Sequence, residues 1–216
     1  MNPVKRLADI VISAVLLVIL AIPLGLLMLV LLVKEGRPVF YISERMKAPG
    51  QPFRLIKLRS MRPDPADSGV TGGDKLARIA PVHRFLRKSR ADEVPQLVNV
   101  LRGDMSLVGP RPPLRRYVED YPEIYGPVLR NRPGITGLAS LVFHRHEERL
   151  LAACATPAET EAVYRRRCVP RKARLDLIYQ KRQSLWLDLW LLAATGYRPL
   201  LRRHGKRMAR KPQKWR

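Results

Sequence analysis

Asp92 and Glu93 are adjacent carboxylates, preceded by Arg87, Lys88 and Arg90 and followed closely by Pro95. An aspartate ahead of a proline-bearing first turn is also an ordinary helix start. The supply of cations in constrained places favours chemistry. Lys57 and Arg59 end a β-prone run, Arg87 lies just upstream of the pair, and Arg111 and Arg132 each sit beside proline. Arginine held by a rigid turn can bind phosphate oxygens bidentately with little freedom left to lose. A carboxylate in such a positive field suits attack on an anionic, phosphate-bearing substrate.

The elements that position these residues belong to a chain of 216 residues, long enough for one catalytic domain with an appendage. Its 41 Lys and Arg against 18 Asp and Glu give a formal charge of +23, which implies an anionic partner: lipid headgroups, a phosphorylated substrate or nucleic acid. Nucleic acid is not expected, because aromatic residues are only 6% of the chain and none interleaves with the basic clusters as a stacking platform. Cys154 and Cys168 form no CxxC pattern, so neither a disulfide framework nor a zinc site is indicated and a reducing compartment is expected. His144, His146 and Glu147 match no standard ligand spacing. There is no GxGxxG, no P-loop and no Asp-x-Asp pair, which disfavours glycosyl transfer at an anomeric carbon.

Ile10 to Val33 is an uninterrupted run of 24 uncharged, almost wholly apolar residues, long enough to span a membrane as a straight helix. It is too long for the apolar part of a signal peptide, and no small-residue cleavage site precedes Lys34. Pro23 lies at its midpoint and predicts a kink or break. Lys5 and Arg6 argue for a cytoplasmic N-terminus, yet all the other Lys and Arg follow the run and argue equally for a cytoplasmic C-terminus. Both are met if the segment turns back at Pro23. A kinked helix that simply spans is the alternative. The domains expected are a membrane helix over 1–36 broken at Pro23, a catalytic domain over 37–201 and a basic tail over 202–216.

Pro38–Ile42 and Phe53–Leu58 are β-prone runs around Pro49-Gly50 and predict a hairpin. Arg62 to Asp74 reads as a loop, and helical patterns follow over Leu76–Lys88, Glu93–Leu101 and Leu114–Val118. Two rigid turns, Val108–Pro113 and Arg130–Gly137, lie between and after them. Near the C-terminus Trp186 and Trp190 share a helical face among leucines, as suits a membrane interface, although an ordinary core helix would share the pattern.

The Pro23-centred apolar helix, Phe53–Met61, Asp92–Leu97, Met105–Pro112, Arg132–Ala139 and Ser184–Leu189 occur in one order along nearly the full length. In these motifs the chain resembles the small monotopic phosphoglycosyl transferases of the bacterial sugar-transferase family. The resemblance implies an α+β, mainly helical fold with an N-terminal re-entrant membrane helix, a small β-hairpin and membrane-interface amphipathic helices around a cytoplasmic catalytic domain. It implies a monotopic enzyme at the cytoplasmic face of the bacterial inner membrane that takes a UDP-sugar donor and a polyprenol (undecaprenyl) phosphate acceptor and releases UMP, in exopolysaccharide or other glycoconjugate assembly. By the family's pattern Asp92 is the nucleophile and a ligand of magnesium, and Glu93 assists by proton transfer or through the metal. Lys57, Arg59, Arg87, Arg111 and Arg132 bind phosphate, Mg2+ is the cofactor, and anionic membrane lipids are further partners. A homodimer is left open.

The chain departs from the family in two places. Ile22 stands before Pro23 where members often carry serine, and Ser140–His146 replaces a common Gln-Val-Asn-Gly-Arg-like run, so sugar specificity does not transfer. The competing class is a non-enzymatic, membrane-anchored basic module that holds nucleic acid or anionic lipid by charge alone.

Overall fold

The computed structural model describes residues 2–62 and 78–196; the basic tail over 202–216 and nearly all of the loop expected over Arg62–Asp74 lie outside the described residues. The first helix, α1, runs Pro3–Glu35. The Asn2 side chain accepts from the Val4 amide at 2.9 Å and Pro3 occupies the first turn, while Gly36, at φ 69°, ends the helix by donating to Leu32 O. Its 33 residues extend about 50 Å, and it is the one described helix long and apolar enough to cross a membrane. Pro23 does not end it. Residues on both sides stay helical, because a proline removes one rung and its ring disturbs only the preceding turn.

One face of the middle of α1 is uncovered by protein, with Val18 and Ile22 each 78% exposed, while Leu16 and Leu17 on the other face pack against the core and both ends are docked. At the N-terminal end Arg6 donates to Val100 O at 2.7 Å and Leu101 O at 3.0 Å. At the other end Leu31 is buried against Leu58 and Leu86, and the Arg59 guanidinium donates to Glu35 O at 2.7 Å and Gly36 O at 2.9 Å.

The hairpin forms where the turn residues place it. Strands β1 (Phe40–Ala48) and β2 (Gln51–Leu58) pair antiparallel from Phe40 opposite Leu58 to Met46 opposite Pro52, with Gly50 supplying the positive φ of the turn. Alternation buries Phe53 and Leu55 in the core. Then come α2 (Pro81–Ser89), a single 3₁₀ turn (Ala91–Glu93) and α3 (Gln96–Arg102). The helical pattern anticipated over Glu93–Leu101 is thus two pieces, since α3 begins only after Pro95. It stops at Gly103, whose φ of 88° is a left-handed cap.

Strands β3 (Ser106–Val108) and β4 (Gly134–Thr136) form a short parallel pair, Ser106 opposite Gly134 and Val108 opposite Thr136, that clamps the two rigid turns together. A Cβ at Gly109 would strike the Arg132 carbonyl, and one at Gly137 would strike the Gly109 carbonyl, so only glycine fits this crossing. The remaining helices are α4 (Arg115–Asp120), α5 (Pro122–Val128), α6 (Leu138–Ala152), α7 (Pro157–Val163), a π-helical turn (Tyr164–Cys168), α8 (Val169–Arg182) and α9 (Leu185–Gly196). The result is an α+β, mainly helical molecule. In α9 the Ser184 hydroxyl accepts from the Leu187 amide at 3.1 Å as an N-cap, and the two tryptophans part company: Trp190 packs on the core while Trp186 stays 79% exposed.

Candidate active site

The chain leaves α2 through Arg90, the one described non-glycine residue with positive φ, at 60°. A β-carbon makes that region costly, and such residues concentrate at functional sites. The turn it makes delivers Ala91–Glu93 at once, and the side chain that glycine would lack donates to Glu93 Oε2 at 3.0 Å. Arg111, from the proline-flanked turn after β3, donates to the other oxygen, Glu93 Oε1, at 3.4 Å. Asp92, by contrast, is buried with one hydrogen bond, the Ser60 hydroxyl donating to Oδ2 at 3.0 Å, which leaves Oδ1 without a partner among the described residues.

The electrostatics separate the two carboxylates. Burial, reinforced by the charge of Glu93, raises the pKa of Asp92 against the opposing pull of Lys57, the Ser60 hydrogen bond and Arg87. For Glu93 burial would also raise it, but Arg111 and Arg90 together carry it below the usual value, so it stays ionised. Lys57, whose ammonium lies 4.9 Å from the Tyr41 ring centroid, is lowered to about 8 by burial and then by Arg111 and Arg45, against Asp92 and Glu93. Arg87 is lowered by burial, opposed first by Asp92. Lys57, Arg45, Arg87, Arg90 and Arg111 thus surround two carboxylates, an excess of positive charge that a phosphorylated ligand would neutralise.

Of the residues singled out in the sequence, the structure brings together Asp92, Glu93, Lys57, Arg87 and Arg111. Arg59 is buried and holds the C-terminal carbonyls of α1. The Arg132 guanidinium lies beside Gly103 and Arg6, at the far end of α3 from Asp92. Ser60 and Arg45 were not singled out, and Arg90 was noted only as one of the cations ahead of the pair. Ser60 stood inside the motif Phe53–Met61, whereas Arg45 in a strand carried no signal of its own.

A cavity of 790 Å³ is lined by Glu93 of the pair, with Asp92 outside its lining. Glu93, Arg87, Arg90, His144 and Arg145 give it a polar wall, and Leu16 and Leu20 of α1 with Leu141 and Leu192 give it an apolar one. Burial lowers the pKa of His144, opposed by Glu148 at 3.2 Å.

The turn that carries Arg111 is held by a buried polar hub. Val108 O accepts from Lys5 Nζ at 3.2 Å, the Ser106 hydroxyl at 3.0 Å and the Tyr179 hydroxyl at 3.2 Å. Asp188 accepts from Lys5 at 2.7 Å and from Tyr179 at 2.5 Å, and Asp9 accepts from Ser106 at 2.7 Å. The N-terminus of α1, α8, α9 and β3 are thereby joined just behind Gly109 and Arg111.

Among the described residues no group of three or more His, Cys, Asp or Glu is arranged to hold a metal. Mg2+ is commonly held by one or two carboxylates together with substrate phosphates and water, a demand that a single carboxylate here can meet. Asp92, with its open oxygen, is the donor available.

A buried carboxylate among several cations thus stands next to a cavity that Glu93, Arg87 and Arg90 share with the apolar helix α1. The chain belongs to the bacterial sugar transferase family, whose model matches residues 1–202. It is similar to a UDP-glucose:undecaprenyl-phosphate glucose-1-phosphate transferase of Klebsiella pneumoniae, 33% identical over 198 residues that make up 90% of this chain and 39% of that protein. A protein of the same description from Caulobacter vibrioides is 35% identical over 200 residues, 88% of this chain and 67% of that one. A UDP-N-acetylgalactosamine-undecaprenyl-phosphate N-acetylgalactosaminephosphotransferase of Aeromonas hydrophila is 36% identical, covering 89% of this chain and 42% of the other. The chain therefore spans from about two fifths to two thirds of the length of these relatives.

Proposed function

We propose that this chain is a phosphoglycosyl transferase that moves a sugar phosphate from a UDP-sugar to undecaprenyl phosphate and releases UMP. An ionised Asp92 oxygen attacks the sugar-proximal phosphorus, a P–O bond forms, and the bond to UMP breaks with its electron pair leaving on UMP. The resulting aspartyl phosphate ester of the sugar is attacked at phosphorus by an oxygen of the lipid phosphate. That step frees the Asp92 carboxylate and yields the polyprenyl diphosphate sugar. Dividing one hard transfer between two anions into two steps is the usual use of a carboxylate nucleophile.

The observation that carries the reading is the asymmetry of the pair: among the described residues Asp92 Oδ1 has no partner and its pKa is raised, while Glu93 is saturated by two arginines. A carboxylate stripped of water and of donors is the more basic and the better nucleophile once ionised. Glu93, held ionised, suits contact with a proton or a cation and keeps Arg90 and Arg111 aimed at the site. Lys57, Arg87 and Arg111 bind and polarise the diphosphate oxygens, the electrostatic preorganisation that dominates phosphoryl transfer. Asp92 would hold magnesium together with the donor diphosphate, and the ion when bound would supply further charge neutralisation.

The two-sided cavity supports an amphiphilic acceptor, since a phosphate can meet Arg87 and Arg90 while a prenyl chain lies along Leu16 and Leu20. The docking of both ends of α1 on one polar body supports a helix that enters the cytoplasmic leaflet of the inner membrane without crossing it, because a single polar domain cannot grip both ends across a bilayer. The test is UMP release from a panel of UDP-sugars with undecaprenyl phosphate, wild type against Asp92→Asn. Release by wild type alone is expected; equal release by both excludes Asp92 as nucleophile.

A further inference from the structure

A second cavity, of 420 Å³, opens on the opposite side of α6 from the first. His144, Arg145 and Glu148 look into the larger cavity, whereas Phe143, His146 and Leu150 look into the smaller, roughly half a turn round the helix. Its other wall is Arg166, Arg167, Arg171 and Arg174, all exposed. No acid lines it.

Two features set these arginines apart from the general basicity of the chain. Nearby cations are neutralised: Arg165 pairs with Glu161 and Asp120, Arg116 with Glu161, and Lys172 with Glu147 at 2.9 Å. Arg166, Arg167, Arg171 and Arg174 have no ion pair or hydrogen bond among the described residues. Moreover, Arg166 and Arg167 enter the cavity from the π-helical turn, a rare widening that is frequent at functional sites. The turn sets them beside Arg171 and Arg174 around one concavity, where like charges repel until an anion is present.

We propose that this cavity is a second anion site, which binds a phosphate group. Guanidinium forks match phosphate oxygens bidentately, and four of them converge here with no competing carboxylate. The inference is independent of the transfer reaction and uses none of its residues. The phosphate comes either from a soluble diphosphate or from an anionic lipid headgroup, and the chemistry of recognition is shared.

The full chain in detergent micelles is titrated with inorganic pyrophosphate by calorimetry. Two sites are expected in the wild type. Arg166→Gln/Arg171→Gln/Arg174→Gln retains only the one near Asp92, and Arg87→Gln/Arg111→Gln retains only the other. The single variant Arg174→Gln, the mildest change, weakens the second site about tenfold, as loss of one charge-assisted contact should. In parallel, hydrogen exchange over residues 164–174 is followed in phosphatidylcholine nanodiscs with and without phosphatidylglycerol. Slowing by phosphatidylglycerol that the triple variant abolishes, without a second pyrophosphate site, assigns the site to a lipid headgroup. A second pyrophosphate site without such slowing assigns it to a soluble phosphate. Neither a second site nor a lipid effect in the wild type, or either one unchanged in the triple variant, overturns the proposal.

Discussion

Two clusters of buried carboxylates, one behind the Arg111 turn and one around Asp92, behave oppositely. Asp9 and Asp188, behind the Arg111 turn, are saturated by Lys5, Ser106 and Tyr179, and every donor there has an acceptor. Asp92 is buried just as deeply but keeps one oxygen open, and the cations around it outnumber the acids. The first arrangement costs reactivity and gives rigidity; the second gives up stability to leave a nucleophile exposed to an incoming phosphorus. Burial of an acid is therefore no sign of function here. What sets Asp92 apart is an open oxygen among several cations, since among the described residues Asp176 Oδ1 is also buried and unpartnered, with Lys172 opposing the burial that raises its pKa to about 7.

Removing the open carboxylate should have the largest effect: Asp92→Asn is expected to lower UMP release by roughly 10³-fold or more with little change in thermal stability. Breaking the saturated cluster should do the reverse. Asp188→Ala strands the Lys5 ammonium and is expected to cost about 3–5 kcal/mol in denaturant unfolding, and Lys5→Met/Asp188→Leu should recover most of it. Recovery of stability without recovery of kcat would show that the hub also aims Arg111.

Lys57 sharpens the comparison through pH. Its pKa of about 8 lies below the ordinary 10.5, so the charged form is disfavoured in the folded, substrate-free protein. That cost is fully present below about pH 8 and is relieved as pH rises from there toward 10.5, where the unfolded chain binds the extra proton. Wild type should gain stability relative to Lys57→Met across that window. The KM for the UDP-sugar should rise above about pH 8 as the ammonium that meets the diphosphate is lost, while Lys57→Arg should flatten the rise. The gentlest perturbation concerns α1. Cysteines placed at the exposed Val4 and Val33 should both be labelled from the cytoplasmic side without loss of activity; labelling from opposite sides would contradict the re-entrant reading.

Local signals carried much of the fold. The apolar run became α1, Pro49-Gly50 became a hairpin turn, and the Asp92–Pro95 stretch became a turn opening α3, because each is fixed by residues within a few positions of one another. The β3–β4 pair was not legible, since three-residue strands have no periodicity and their partners are 28 residues apart. Nor was the hub, whose Lys5 and Asp188 meet across 183 positions. Sequence also could not tell arginines apart: Arg59 and Arg111 both follow strands, yet one caps α1 and the other reaches Glu93. The π turn that groups Arg166 and Arg167 left no pattern at all, being a one-residue change in helical pitch.

The central claim is a bond between a carboxylate oxygen of Asp92 and phosphorus. Intact-protein mass spectrometry of the purified chain, supplied with its UDP-sugar and magnesium but no lipid acceptor, measures it directly. A mass increase equal to one sugar phosphate, mapped to Asp92 and discharged on adding undecaprenyl phosphate, is the expected result. An unmodified chain in a preparation that releases UMP only when both substrates are present, with Asp92→Asn equally active, would contradict it.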